Sequence, residues 1–265
     1  MIRPGEIQQY ARKTAVRDTQ IEKDYILTWI LLGMSKQARL SKDLVFKGGT
    51  VLKKVYFEDY RYSEDLDFTL LNEELSNEKI FSDFQQVFAW IKEEANIDLQ
   101  LTEDAEHESG SINFYISYAG PLGGAGINKK VKVDITRKET LEYEAALKPV
   151  FIHYSDLETF DILCYPLEEI LIEKMCALIG RTQPRDLYDL WYLLEYNKMD
   201  ITYSWPEFER KAKNKGHMPS AFKDKVQAKM SSFKGRWKGS LSNQIRDLPD
   251  FELVVRELNK HLRKV

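Results

Sequence analysis

The run Phe46-Lys47-Gly48-Gly49-Thr50, followed by Arg61-Tyr62-Ser63-Glu64-Asp65-Leu66-Asp67-Phe68, holds the residues best suited to chemistry. In a strand, residues two apart point to one side, so Asp65 and Asp67 project together while Leu66 and Phe68 face the core. Two carboxylates held this close repel unless a cation lies between them. Hard divalent ions such as Mg²⁺, bound through carboxylates and substrate phosphates, meet that need. Lys132-Val133-Asp134-Ile135 offers a third carboxylate, on a strand able to lie beside the first pair. Three such aspartates would hold two Mg²⁺ ions about 4 Å apart, one activating an attacking hydroxyl and one bound to a triphosphate. Gly48 and Gly49 let the backbone approach a phosphate closely, and the N–H groups opening the next helix form an anion site, to which Thr50 adds a hydroxyl donor.

The elements that must position these groups are legible from periodicity. Ile7, Tyr10 and Ala11, then Ile21 to Met34, predict two helices; Leu44-Val45-Phe46 predicts a buried strand running into the glycine turn, with Thr50 capping a helix over Val51 to Tyr56. Leu66 to Leu71 reads as the second strand, and Asn77 to Glu94 as an amphipathic helix with Ile80, Phe84, Val87, Phe88 and Ile91 inward. Ile97 to Leu101, Ile112 to Tyr118, Val131 to Ile135 and Phe160 to Cys164 are further strands. The glycine-rich connection Gly120 to Gly126 reads as a mobile hairpin loop, and it lacks the strand-to-helix setting of a dinucleotide fingerprint. After Pro166 the pattern is helical throughout. The expectation is an α/β (α+β) lobe over residues 1–164 and an all-helical lobe over 165–265, with a ligand cleft between them.

Composition sets limits on function. With 43% hydrophobic residues, wholesale disorder is excluded, and eight prolines with thirteen glycines exclude a collagen-like chain. The most apolar helical stretch, Tyr25 to Met34, is far shorter than the roughly 20 residues that cross a bilayer, so a cytoplasmic protein with no membrane partner is expected. Cys164 and Cys176 are too few for a disulfide framework and read as ordinary buried residues. His107, His153, His217 and His261 lack metal-ligand spacing and receive no role. No Ser or Cys nucleophile has a plausible His partner, so covalent catalysis is not expected. The net charge of −3 is an average over unequal parts: residues 207–238 carry ten Lys or Arg against three Asp or Glu, a net of +7, while residues 1–206 carry 24 against 35, a net of −11. A basic segment with Phe208, Phe222, Phe233 and Trp237 fits a surface that follows a phosphate backbone; a solvated helical face with core aromatics is the alternative.

The run from Lys47 to Thr50 through Arg61 to Phe68 closely resembles the AbiEii/AbiGii (type IV, MenT-like) toxin group of the DNA polymerase beta nucleotidyltransferase superfamily. The resemblance takes in Ile21-Glu22-Lys23-Asp24-Tyr25, the stretch Tyr165 to Lys174, and Arg185-Asp186-Leu187-Tyr188-Asp189-Leu190, and so covers roughly residues 20 to 195. A slightly long insertion separates the glycine motif from the aspartate pair. The resemblance implies a polymerase-beta-like core with a mixed sheet and a Mg²⁺-dependent transfer of a nucleoside monophosphate from an NTP to an acceptor hydroxyl. The acceptor implied is RNA, at the 3′ end of tRNA, in a toxin–antitoxin or abortive-infection system whose cognate antitoxin would be a winged-helix protein. It places Lys47, Gly48, Gly49 and Thr50 on the nucleotide, Asp65 and Asp67 on metal, Lys174 on the β- and γ-phosphates, Asp186 as the late catalytic aspartate, and Arg185 and Asp189 in support. Asp134 as third metal ligand rests on the strand pattern, and proton removal from the acceptor would fall to Asp134 or a metal-bound hydroxide.

The residues themselves also allow plainer readings. Lys174, in an otherwise apolar helix, would be satisfied by Glu169 or Glu173 as well as by a phosphate. Arg185 pairing with Asp189, or Asp186 capping its helix, would account for that motif, and Glu22, Lys23 and Asp24 read as a solvated helix face or as pocket lining. Transfer to a small molecule or a protein, and nucleotide or RNA binding without chemistry, stand as alternative functions.

Overall fold

The structure, a computed structural model, describes residues 1–106, 110–124 and 129–265. His107, and Ala125 with Gly126 of the glycine-rich connection, lie outside the described residues. The chain divides into two compact units: Met1–Glu139 with Ala145–Cys164, and Thr140–Glu144 with Tyr165–Val265.

The first unit is built on a mixed sheet of seven strands: β1 (Leu44–Lys47), β2 (Asp65–Leu70), β3 (Asp98–Glu106), β4 (Ile112–Ala119), β5 (Lys130–Thr136), β6 (Ala146–Pro149) and β7 (Asp161–Cys164), in the order β3-β4-β5-β2-β1-β7-β6. β2 pairs with β5 and β1 with β7 in parallel; the other neighbours are antiparallel. Strict alternation on β4 and β5 buries Ile112, Phe114 and Ile116 with Val131, Val133 and Ile135, and leaves polar side chains on the opposite face. Among the described residues five α-helices accompany the sheet: α1 (Pro4–Thr14), α2 (Asp18–Lys36), the short α3 (Leu40–Asp43), α4 (Gly48–Val51) and α5 (Asn77–Ala95). α5 is capped by the Ser76 hydroxyl accepting from the Lys79 N–H, and its Phe84 meets Phe114 edge-on with ring centres 5.1 Å apart.

Three local expectations are corrected. The helix after the glycine turn starts at Gly48, so Thr50 lies inside it and caps nothing; a π-helical stretch, Leu52–Tyr56, continues it. β3 runs on to Glu106 through a bulge between Thr102 and Asp104, with Glu103 at a φ of 49°. β6 carries no apolar alternation and ends in Pro149, as an edge strand can, which is why periodicity does not reveal it.

α2 is buried on nearly every side over residues 20–34, and Glu22 and Asp24 are buried with it, while Asp18 and Lys36 at its ends are exposed. Asp24 meets Lys54 at 2.7 Å, accepts from the Tyr154 hydroxyl at 2.7 Å, and is not on a solvated face. Lys54 also donates to the Thr28 hydroxyl at 2.7 Å and the Asp24 carbonyl at 3.1 Å. Burial alone would raise the Asp24 carboxyl, but the Lys54 ammonium wins and holds it below its usual value.

The second unit contains α6 (Leu167–Gly180), α7 (Pro184–Glu195), α8 (Trp205–Asn214), α9 (Phe222–Ala228), α10 (Met230–Leu241) and α11 (Phe251–Leu262). Phe208, Phe222, Phe233 and Trp237 are all core residues, with Phe208 and Phe222 in edge contact at 5.2 Å. Residues 140–144 join this unit through Glu169. Its Oε2 accepts the N–H groups of Glu142 and Tyr143 at 2.9 Å, its Oε1 meets Lys211 at 2.6 Å, and Lys211 donates to the Thr140 carbonyl at 2.9 Å.

Removing one partner of a buried ion pair leaves the other charge uncompensated, so Asp24→Ala is expected to lower unfolding stability by about 3–5 kcal/mol. In urea unfolding the double variant Asp24→Leu/Lys54→Met should recover most of that loss; equal losses in the two would mean the stranded charge is not the cause.

Candidate active site

β1 and β2 are joined so that Lys47 lies opposite Asp67, and β2 and β5 so that Asp65 neighbours Lys132 and Asp67 neighbours Asp134. One polar row therefore crosses three strands, Lys47–Asp67–Asp134, with Asp65 and Lys132 one step along on the same face. The chain leaves β1 at Gly48 with a φ of 80°, a conformation that favours glycine. The Asp67 carboxylate packs onto this turn: a Cβ at residue 48 would lie 2.3 Å from Asp67 Oδ2. Gly49 follows within α4, and the buried Thr50 hydroxyl donates to the Asp65 carbonyl at 2.5 Å. Thr50 thus ties the helix to β2.

Lys47 is buried and crosses above β2 to β5, where it donates to the Thr136 hydroxyl at 3.2 Å and forms an ion pair with Glu139. Thr69, next on the polar face of β2, donates to the same Glu139 carboxylate at 3.4 Å. Lys132 turns back along its own strand onto Asp134, with its Nζ 2.8 and 2.7 Å from the two carboxylate oxygens. Burial works against the Lys132 charge, but the hydrogen bond and field of Asp134, with the field of Asp65, hold its ammonium above the usual lysine value. Among the described residues no three acidic, His or Cys side chains converge closely enough to hold a metal ion. Asp65, Asp67 and Asp134 nevertheless offer the hard oxygen donors that Mg²⁺ takes, and the Lys132 ammonium lies on one of them, Asp134.

Lys132 and Glu139 carry no role in the sequence reading. Lys132 is two residues before Asp134, and that alternation is the one local signal that could have found it.

Lys174, Asp186 and Asp189 come together in the helical unit, and Arg185 precedes Asp186 on α7. Lys174 Nζ lies 2.9 Å from Asp186 Oδ1 and 2.6 Å from Asp189 Oδ2, all three side chains being buried. Arg181, also outside the sequence reading, donates to both oxygens of Asp186 at 2.7 and 3.1 Å. Asp186 is therefore a bridge between two cations and does not cap α7, whose N-cap residue is Gln183. Glu169, proposed as a partner of Lys174, is taken by Lys211.

Glu22, Lys23 and Asp24 are held in ion pairs, and Glu22 and Asp24 do not lie on a solvated helix face. Glu22 is buried, pairs with Lys129 at 2.9 Å and accepts the Leu122 N–H at 2.8 Å, anchoring the start of the glycine-rich connection; Lys23 meets Glu64 at 3.2 Å. Part of the basic segment serves the fold: besides the buried Lys211, the half-buried Lys229 donates to the carbonyls of Leu178, Ile179 and Arg181 at the end of α6, and the exposed Arg236 to that of Thr182. The remaining described histidines stay outside both clusters, His261 meeting Glu195 at 3.1 Å. Cys164 and Cys176 are buried free thiols, and burial pushes Cys164 up to about 11.

The sequence matches the family model described as nucleotidyl transferase AbiEii toxin, type IV TA system, over residues 29–257. No curated protein matches it. Among solved structures, the nucleotidyltransferase toxin MenT4 from Mycobacterium tuberculosis superposes with a TM-score of 0.68 at 17% identity, covering 100% of this chain and 91% of that one. JHP933 from Helicobacter pylori superposes with a TM-score of 0.60 at 18% identity, covering 94% and 92%. At such identities the likeness is one of fold: a mixed α/β architecture shared with these proteins.

The Asp186 cluster sets a pH dependence. Burial would raise its carboxyl, yet Lys174 and Arg181 hold it below the usual 3.8. A carboxyl depressed in the folded state contributes stability above its unfolded value and loses it as pH falls through the folded one. Unfolding measured from pH 7 to pH 3 should therefore show wild type losing stability below about pH 4. Asp186→Asn, already weaker at pH 7, should show a shallower acid limb; parallel limbs would place the acid loss elsewhere.

Proposed function

Given that the chain belongs to the AbiEii family of nucleotidyl transferase toxins of type IV toxin–antitoxin systems, we propose that it transfers a nucleoside monophosphate from an NTP to a hydroxyl at the 3′ end of tRNA. Nucleotidyltransferase chemistry and the toxin role come with the family; the donor, acceptor, metal and residue roles are the proposal. The observation that carries it is the packing of Asp67 onto the Gly48 turn, in register with Asp134 on the next strand.

In this reading the acceptor oxygen attacks the α-phosphorus and forms the new P–O bond, while the bond to the bridging oxygen breaks and pyrophosphate leaves. Asp134 receives the hydroxyl proton at a carboxylate oxygen. Asp65, Asp67 and Asp134 would hold Mg²⁺, two ions by the carboxylate count, and bound there the metal would neutralise charge on the triphosphate. Gly48 and Gly49 bring backbone N–H groups close to a phosphate, and Lys47, kept in place by Glu139, supplies positive charge beside them. Thr50 holds Asp65 through its carbonyl. In the helical unit Lys174 is assigned to a phosphate oxygen, with Asp186 and Asp189 orienting its ammonium and Arg185 in support. No helix among the described residues is long and apolar enough to cross a membrane. A cytoplasmic setting and a winged-helix antitoxin complete the proposal.

For an RNA acceptor, Lys213, Lys223, Lys225 and Lys238 remain exposed on the helical unit. They are the positive charge offered to a phosphate backbone, since the aromatics of the segment lie in the core.

Purified protein with Mg²⁺, all four NTPs and total tRNA is expected to give labelled RNA, and Asp67→Asn to reduce labelling by on the order of 10²-fold or more. No labelled product at any protein concentration would sink the tRNA reading. Charge reversal at Lys213, Lys223 and Lys225 should weaken RNA binding and lower the salt slope by about 0.7 per lost single-strand contact. Undiminished tRNA labelling with an unchanged slope would mean that these lysines do not hold the RNA.

A further inference from the structure

Three carboxylates share the polar row, and one of them, Asp134, is already held by a lysine of the chain. Asp65, Asp67 and Asp134 lie on one face of two paired strands, and Lys132 sits among them, beside Asp65 across the strand pair and bound through Nζ to both oxygens of Asp134. An ammonium holding both oxygens of a carboxylate occupies the position from which that carboxylate would bind a metal ion. Lys132 and Asp134 have side-chain exposures of 35% and 32%, so the lysine can swing off without unpacking the apolar face beneath, where Val131 and Val133 are fully buried. A divalent ion attracts the same carboxylates with twice the charge and, unlike an ammonium, bonds to several oxygens at once. Once displaced, the Lys132 ammonium would be a mobile cation on a four-carbon stem at the edge of the aspartate row, and the anion brought to that row is the triphosphate.

We propose that Lys132 is an exchangeable resident cation: it neutralises the aspartate row in the metal-free enzyme, yields Asp134 to the incoming metal, and passes to a phosphate oxygen of the nucleotide. The inference rests on the proposed metal role of the three aspartates. It makes Lys132 a competitor of free metal and a ligand of the metal–nucleotide complex, so one substitution moves the two affinities in opposite directions. A lysine that merely stabilises the strand would shift neither in that pattern.

The test uses Mn²⁺ alone as probe, titrated into the full chain without nucleotide and followed by the loss of its free-ion electron paramagnetic resonance signal. Lys132→Met and Lys132→Gln are both expected to bind Mn²⁺ at least about fivefold tighter than wild type, because the competing charge is gone. At saturating Mn²⁺ the same variants should bind a non-hydrolysable NTP analogue more weakly than wild type. Mn²⁺ affinity equal to or below wild type in both variants, with binding still abolished by Asp67→Asn, overturns the exchange while leaving the metal site standing. Unchanged analogue affinity overturns the transfer to phosphate. Absence of Mn²⁺ binding in wild type and variants alike removes the metal reading and the inference with it.

Discussion

The carboxylate of Asp67 has room only because residue 48 carries no side chain. A Cβ there would lie 2.3 Å from Oδ2, and the φ of 80° at that position is one that L side chains rarely adopt. β1 therefore ends at Lys47, turns within one residue and enters a helix whose Thr50 reaches back to the Asp65 carbonyl. That turn fixes β2 against β1, and β2 in turn carries β5, so that Asp134 comes to lie beside Asp67. Because side chains alternate, a slip of one residue at any of these pairings would send the carboxylates to the apolar face.

Around this row both units handle buried charge in the same way, by pairing it. Lys47 with Glu139, Lys54 with Asp24, Lys211 with Glu169, and Lys174 with Asp186 and Asp189 are all ion pairs between buried side chains. Such pairs add little net stability relative to apolar packing, but each is costly to break on one side. Their effect here is positional. Glu169 and Lys211 hold residues 140–144 to the helical unit, and Glu139 sets the reach of Lys47 across β2.

The basic residues of 207–238 serve several uses, and Arg210, Lys215 and Lys234 stand in ion pairs with Glu142 and Glu207, Glu173 and Glu252. Lys211 neutralises a buried carboxylate, and Lys229 and Arg236 satisfy carbonyls at the end of α6 and just beyond it, where the helix leaves acceptors unpaired. Lys213, Lys223, Lys225 and Lys238 stay on the surface. A charge count along a sequence cannot separate these uses, because whether a lysine is internal depends on which element its helix packs against.

Much of the architecture was legible in the sequence. The periods of strand and helix are local properties, so the strands bearing Asp65, Asp67 and Asp134, the glycine turn before them and the amphipathic α5 follow from residue order alone. The aspartate pair on one face of β2 is of this kind, since two residues apart on a strand is a fixed geometry. What Glu22, Asp24 and Lys174 face was not legible, because their partners Lys129, Lys54 and Asp189 stand on other elements. The edge strand β6 was missed for want of any apolar period. Sequence by itself determined which residues carry carboxylates and toward which side of a strand they point. Only the tertiary structure decided that Asp134 lies beside Asp67, that Lys132 already holds it, and that Glu139 holds Lys47, because pairing across strands depends on register and chain crossing.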